Sequence, residues 1–463
     1  MHRWTALGVL SAAGLMTILD GSIVTVAMPA IQQDVGFSSA GLSWMVNAYL
    51  IPFGGLLLLA GRLGDLIGRR TMFLAGNAVF TAASLLAGLA DGPGTLIAAR
   101  FLQGVGSAMA SAVVLGILVT IFTDGGERGR AIAIFSFTGA AGASLGQVLG
   151  GVLTDLLSWP WIFFINVPIG LATILLALRV LPRDRGAGLS AGADVLGALL
   201  VTSGLMIGIY TVVEGGRHWW TGAVALILLS GFVVRQATAG NPLMPLRILR
   251  SRNVTGANLA QMLALSGMFA FQILVALHMQ RVLGYTALET GLAMLPAAVG
   301  IGIVSLLVSA RLSARFGARA VLLAGLVLLF AAMVLLTRIP VRADYLTDLL
   351  PVMLLISGGG LVLPALATLG MSGARESDAG LASGLFNTTQ QVGMAIGVAV
   401  LSTLAASRTE GLLAAGQAPA EALTGGYRLA FATSAGLLAA GFLVGLVVLR
   451  QPRAEAPLQP TRP

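Results

Sequence analysis

Two charges stand where charge is expensive. Asp20 lies in an almost wholly apolar run that begins near Thr5 and continues to Ile31. Read as a helix, the run puts Asp20 about 22 Å from Thr5 at 1.5 Å per residue. That is past the midplane of a hydrocarbon core roughly 30 Å thick. A carboxyl group at such depth must be paired, hydrated or protonated, which suits it to load and release a proton. Arg100 sits about one helical turn inside the outer end of another apolar run, at a depth compatible with Asp20. An embedded guanidinium needs a counter-charge or several carbonyls. Two readings follow. Arg100 tunes Asp20 and helps expel its proton, or the role is structural: the two form a static pair that only locks helices, or Arg100 simply snorkels outward.

Further polar residues interrupt apolar runs: Asn47, Tyr49, Gln103, Gln147, Tyr210, Asn258, Gln261, Gln272, Asn387, Gln390 and Gln391. Some are expected to face a central cavity and others to bond between helices. Such a cavity, with Met, Phe and amides around one acid, suits small lipophilic neutral or cationic substrates better than sugars or phosphates. Gly139, Gly142, Gly146 and Gly150, followed by Gly151, put a smooth strip on one helix face and allow close backbone approach.

Other chemistry finds no residues. The chain has no cysteine, and His2, His218 and His278 do not cluster, so neither a metal site nor a catalytic site is expected. There is no Gly-x-x-x-x-Gly-Lys loop to hold nucleotide phosphates, and no hydrolase constellation. No cofactor is expected; the proton gradient supplies the drive.

The elements that position these residues follow from composition. Of 463 residues, 57% are hydrophobic and only 10% charged, against roughly 25% charged in soluble domains. Much of the surface must therefore face lipid. Runs long enough to cross a bilayer predict an all-α polytopic membrane protein with fourteen spans near 6–29, 42–61, 72–90, 95–121, 131–153, 161–180, 194–213, 220–238, 254–278, 289–310, 320–337, 348–370, 380–402 and 428–449. The first run is too long for a signal-peptide core and reads as a retained span. The net charge is +9, but the arginines are scattered between apolar runs and form no basic domain, so no nucleic-acid partner is expected. With both termini inside, 20 arginines fall in cytoplasmic segments and 6 outside, the bias of a chain oriented by its positive loops. The cytoplasmic membrane is the expected location.

Residues 61–76 (GRLGDLIGRRTMFLAG) and 310–325 (ARLSARFGARAVLLAG) repeat one another, matching at Arg62/Arg311, Gly68/Gly317, Arg70/Arg319 and Gly76/Gly325, among others. Copies after the second and tenth spans imply two like-oriented six-span halves with spans seven and eight inserted between them. The expected layout is a six-helix bundle over 1–182, a two-helix insertion and linker over 183–252, a second bundle over 253–450 and a disordered tail over 451–463.

These stretches carry a family resemblance. Gly61-Arg62-Leu63-Gly64-Asp65-Leu66-Ile67-Gly68-Arg69-Arg70 resembles the signature loop of the major facilitator superfamily. Leu19-Asp20-Gly21-Ser22-Ile23-Val24-Thr25-Val26-Ala27-Met28-Pro29 resembles the first-span motif of its fourteen-span drug:proton antiporters. Arg100-Phe101-Leu102-Gln103-Gly104-Val105-Gly106 and the stretch from Trp159 to Gly170 resemble their fourth- and sixth-span motifs. The fifth-span antiporter motif is matched from Gly142 to Gly151 except that Gln147 replaces its proline; Pro160 stands where the family often has Arg. The resemblance implies a monomeric, proton-coupled exporter of lipophilic drugs working by alternating access. It also implies a conformational latch at Gly61, Asp65, Gly68, Arg69 and Arg70. There Asp65 is expected to accept from the first amides of a neighbouring helix, and the latch is one-sided because Ala314 replaces Asp65 in the second copy. Export of one dedicated metabolite is the alternative within transport; a membrane sensor is the alternative outside it.

Overall fold

The computed structural model describes residues 3–38, 41–122, 125–184, 186, 188, 194–214, 218–240, 242–243, 246–372 and 379–450. The tail expected over 451–463, and Arg185, Arg217 and Arg375 of the orientation count, lie outside the described residues.

Besides short 3-10 turns at Gly41–Ser43 and Leu246–Arg250, the chain forms fourteen long helical segments among the described residues. We number them α1 (Arg3–Val35), α2 (Trp44–Ile67), α3 (Arg69–Gly88), α4 (Pro93–Ile121), α5 (Gly125–Leu156), α6 (Trp161–Val180) and α7 (Val195–Val213). The rest are α8 (Trp219–Thr238), α9 (Arg252–Arg281), α10 (Ala287–Phe316), α11 (Ala318–Leu336), α12 (Tyr345–Ser372), α13 (Ala379–Ala414) and α14 (Pro419–Val447). Among the described residues twelve helices are long and apolar enough to cross a membrane, and α2, bent by 53° between Gly41–Leu57 and Leu59–Ile67, makes a thirteenth. The remaining segment, α5, is helical throughout, but its described apolar stretch covers only Leu145–Leu156. Pro52 removes one bond from the ladder earlier in α2, upstream of the bend.

In the first half α1 packs on α5 and α6, and α4 packs on α2 and α3; in the second, α9 packs on α12, α13 and α14. The halves meet along α2 with α13 and α5 with α10. Two cross-half hydrogen bonds lie at the end that the charge bias places outside. Gln280 Nε2 donates to the Val26 carbonyl at 3.0 Å, and the Leu288 amide donates to Asp155 Oδ2 at 2.7 Å.

Helices α7 and α8 pack on each other, and α7 lies against α2 and α13. Only 17% of the most apolar window of α8 is buried, and Leu226 and Ile227 are among its exposed side chains, so it is an outermost, lipid-facing helix. Asp194 fastens the pair at one end. It caps α7 by accepting from the Gly197 amide at 3.0 Å, and accepts from Arg235 Nε at 3.0 Å and Gln236 Nε2 at 2.9 Å on α8. Burial pushes this carboxyl up, but the bonds from Arg235, Gly197 and Gln236 outweigh it and hold it below the usual range. A carboxyl lowered on folding stabilises above its unfolded value, about 3.9, and loses that contribution as pH falls through the folded value. The gap in melting temperature between wild type and Asp194→Ala is therefore expected to stay constant from pH 8 to 5 and to close below about pH 4. At neutral pH it corresponds to the loss of a cap, about 1 kcal/mol. A gap that widens on acidification contradicts this assignment.

Candidate functional site

Asp20 and Arg100 are brought together in the first bundle, 0% and 1% exposed. Arg100 Nη1 donates to Asp20 Oδ2 at 2.5 Å and to Gln103 Oε1 at 2.8 Å, while its Nε donates to the Met45 carbonyl at 2.9 Å. Asp20 Oδ1 accepts from Gln103 Nε2 at 3.1 Å and from Asn166 Nδ2 at 2.8 Å. Gln103 Nε2 also donates to Ser84 Oγ at 2.8 Å. The guanidinium carbon stands 4.6 Å from the centroid of the Tyr49 ring, a cation–π contact. The Tyr49 hydroxyl lies 3.0 Å from that of Ser107. Three helices thus meet at one carboxylate, α2 and α3 support the side chains that reach it, and three donors occupy it in the arrangement expected of an ionised group.

Local sequence explains the convergence. Arg100 and Gln103 are three residues apart on α4 and share a face. Glycines that follow them let the neighbouring helices close in. A Cβ at Gly104 would lie 2.3 Å from the Tyr49 carbonyl on α2, and one at Gly106 would lie 2.6 Å from the Phe80 amide on α3. The sequence reading missed Asn166 and Ser84. Asn166 was signalled by its place in the Trp159–Gly170 stretch; Ser84 is one serine among many and carried no signal.

The expected cavity residues divide. Gln103 and Tyr49 belong to the ion-pair network, not to a cavity wall, because Arg100 needs their oxygen and ring. Asn258 is structural: its Nδ2 donates to the Val254 carbonyl and its Oδ1 accepts from Thr389 at 2.5 Å, tying α9 to α13. By contrast, Asn47 and Gln261 have both side-chain polar atoms buried without a partner, and Gln147 and Gln391 each have an unpartnered buried Oε1. Buried polar groups are normally satisfied, so these four are the candidates left for a polar ligand atom or water. Gln272, Asn387 and Gln390 are half-buried, and Tyr210 is 39% exposed, packed on Trp44.

The loop between α2 and α3 departs from expectation at Asp65. Its Oδ1 accepts from Arg69 Nε at 3.1 Å and Nη2 at 3.0 Å, an i,i+4 pair at the exposed surface. The first amides of α3 go to Asp184 instead, from Arg69 N at 2.5 Å and Arg70 N at 3.1 Å. Asp184 wins because the segment after α6 runs beneath the loop, where the Gly188 amide also donates to the Leu66 carbonyl at 2.9 Å. Gly61, half-buried on α2, has only the Ala112 methyl near its Cβ position.

The two repeat copies perform one structural task. Gly68 and Gly317 both turn the chain at positive φ, +103° and +84°, which glycine alone adopts readily. Arg70 Nη2 donates to the Leu178 carbonyl in the last turn of α6; Arg319 donates to the Gly445 and Leu446 carbonyls in the last turn of α14. Each arginine satisfies orphan carbonyls at the end of its own half's sixth helix. Gly76 and Gly325 each sit against backbone of the helix that follows, at Gly106 O and Gly358 O.

The glycine strip of α5 seats it on α1 and across the halves. A Cβ at Gly142 would meet the Leu15 carbonyl at 3.2 Å, one at Gly146 would overlap the Ser22 hydroxyl, and one at Gly150 would lie 2.8 Å from the Ile23 carbonyl, all on α1. Gly151 faces α10 in the other half: its Cβ would lie 2.5 Å from Leu288 Cα. Reciprocally, a Cβ at Gly291 would lie 2.4 Å from the Gln147 carbonyl. With Gln147 in place of proline, α5 runs unbroken from Gly125 to Leu156.

Comparison with known proteins agrees with this architecture. The profile of the Major Facilitator Superfamily matches residues 10–398. A puromycin resistance protein of Streptomyces alboniger is 38% identical over 451 residues, covering 94% of this chain and 89% of its own. A cephamycin export protein of Amycolatopsis lactamdurans is 40% identical over 418 residues, covering 88% and 86%. Among solved structures, a bacterial homologue of the human lysosomal transporter Spinster, inward-facing and unoccupied, superposes with a TM-score of 0.68 at 16% identity, covering 98% of this chain and 99% of that one.

Proposed function

The chain belongs to the major facilitator superfamily, and from that premise we propose that it exports lipophilic antibiotics or drugs across the cytoplasmic membrane in exchange for protons. The observation that carries the proposal is the buried Asp20–Arg100 pair, which is held by four helices and supplied with an alternative set of bonds. Asp20 in its ionised form accepts from Asn166 Nδ2, while Asn166 Oδ1 is buried without a partner. Rotation of that amide offers an acceptor to a protonated Asp20. The site can therefore satisfy either protonation state, as a proton carrier must and a static lock need not.

In the proposed cycle a proton from outside neutralises Asp20 and frees Arg100 to rely on Met45, Gln103 and the Tyr49 ring. The halves then rock about the α5–α10 and α2–α13 contacts. Substrate is held among the amides of Asn47, Gln147, Gln261 and Gln391 and leaves outward as the proton leaves inward. Differential affinity of substrate and proton for the two states drives the exchange. Among the described residues Asp20 is the only acid deep in a span, so the cycle moves one proton per substrate. The protein works as a monomer, with both termini in the cytoplasm and no bound cofactor. The puromycin and cephamycin relatives support antibiotic-like substrates; each is named for a single compound, which also favours a second reading, export of one dedicated antibiotic.

Inverted membrane vesicles test the proposal. Energised vesicles containing the protein are expected to accumulate a lipophilic antibiotic from a panel, and nigericin, by collapsing the pH gradient, to release it. Accumulation untouched by nigericin refutes proton coupling; accumulation of a single panel member favours the dedicated exporter.

A further inference from the structure

A cavity of about 210 Å³ lies at the outer end, where the halves meet. Met28 and Leu42 line it from the first half, and Leu277, Leu423, Arg281 and Tyr427 from the second. It shares no residue with the Asp20 network or with the four candidate amides. Its walls are largely apolar; Ser43, Ser402, Thr409 and Glu410 also line it, but its buried unmet polar groups, on Arg281 and Tyr427, are donors. Tyr427 is 3% exposed; its only polar neighbour is the Arg281 guanidinium, itself a donor, so the hydroxyl proton has no acceptor. Arg281 Nη2 is buried without a partner, and among the described residues Arg281 makes no ion pair. Behind Tyr427, packed edge-on at 6.0 Å between centroids, His278 is 0% exposed with both ring nitrogens unpartnered. The neighbouring Arg428 is already engaged with the Ile339 carbonyl. Glu410, on the rim, is exposed, so water screens its charge.

Unmet donors in an apolar enclosure are costly, and an anionic acceptor satisfies them best. A cation would meet Arg281, and a sugar would meet walls of leucine. We propose that this cavity binds the head and first carbons of a lipophilic monoanion, with the carboxylate or phosphate oxygens on Tyr427 and Arg281. The space is small for a whole drug, whose pockets run to roughly 300–1,000 Å³. Both halves line the cavity, so an occupant holds the outer end shut and inhibits transport by favouring that state.

Octanoate is the probe, with octanol and octyltrimethylammonium as controls of equal chain length. Binding is measured by calorimetry on the full chain in phosphatidylcholine nanodiscs, and transport in proteoliposomes. Octanoate is expected to bind, to raise the melting temperature and to slow transport, and the two controls are not. Tyr427→Phe should weaken octanoate about tenfold, as loss of a charge-assisted hydrogen bond does. Arg281→Gln should erase the preference for the anion, and Leu423→Trp should block the cavity. Equal effects of all three amphiphiles, or unchanged octanoate affinity in Leu423→Trp, overturn the proposal. If phosphatidylglycerol discs reproduce the stabilisation and octanoate must then compete, the membrane lipid is the natural occupant; if they do not, a soluble anion is. Calorimetric binding does not depend on antiport, so this test can fail or succeed independently of the proposed export.

Discussion

Replacing Asp20 by Asn is expected to abolish gradient-driven accumulation while leaving substrate binding in place. A pH difference of two units sustains about 100-fold accumulation of a monovalent cation in one-for-one electroneutral exchange, since each unit is worth a factor of ten. Asn166 and Gln103 can still bond to an amide at position 20, but no proton can be exchanged there, so the accumulation ratio should fall to one. The substitution also strands Arg100, 1% exposed, without its counter-charge. Breaking a buried pair by removing one member costs about 3–5 kcal/mol, so the single variant is expected to express poorly. The double variant Asp20→Asn/Arg100→Gln removes both charges and should recover the fold without recovering the pump. Tracer uptake at several imposed pH gradients, with binding measured on the same preparations, checks this. Gradient-driven accumulation by the double variant would show that the pair is a helix lock and that the coupling acid lies elsewhere.

The second large effect is expected at Gly151. Its absent side chain faces Leu288 Cα and the Ala287 carbonyl, with 2.5 Å and 2.7 Å left for a Cβ. Those are backbone atoms of α10, held by the bond from the Leu288 amide to Asp155, and they cannot swing aside as a side-chain tip can. Overpacking of this kind costs about 1–3 kcal/mol. It is felt only when the outer end is closed, so Gly151→Val should shift the balance toward the open state by roughly 5- to 150-fold. Because the chain has no native cysteine, a single Leu277→Cys reporter at the sealed outer end gives a clean reading. An impermeant maleimide should label it faster in the Gly151→Val background, and transport should slow in parallel. Labelling at the wild-type rate would mean that α5 and α10 do not form the outer seam.

Legibility from sequence followed the physics of each residue. Asp20 and Arg100 were readable because a charge in an apolar run has few affordable explanations. The glycines of α5 were readable because their spacing marks one helix face. The repeat was readable too, although its meaning came only with the fold: the matched Arg70 and Arg319 satisfy carbonyls 108 and 126 residues away, which no local pattern discloses. Asp184 took the role expected of Asp65 for a similar reason. A loop carboxylate in a polar segment looks like any other until the chain is seen to run beneath α3. Among the amides, type and depth could not separate Asn258, bonded to Thr389 across two helices, from Gln261, which has no partner. Helix ends differed mainly by overshoot. Helix α1 reaches Val35 where the apolar reading stopped at residue 29, because a helix does not end where the hydrocarbon ends.

The most direct test of the central claim counts protons. Purified wild type and the Asp20→Asn/Arg100→Gln variant are titrated with a transported antibiotic in weakly buffered solution, and the pH is followed. Release of protons on substrate binding by wild type alone is the predicted result, since substrate should favour the state in which Asp20 is ionised. Equal release from both proteins, or none from a wild type that binds and transports the compound, would contradict it.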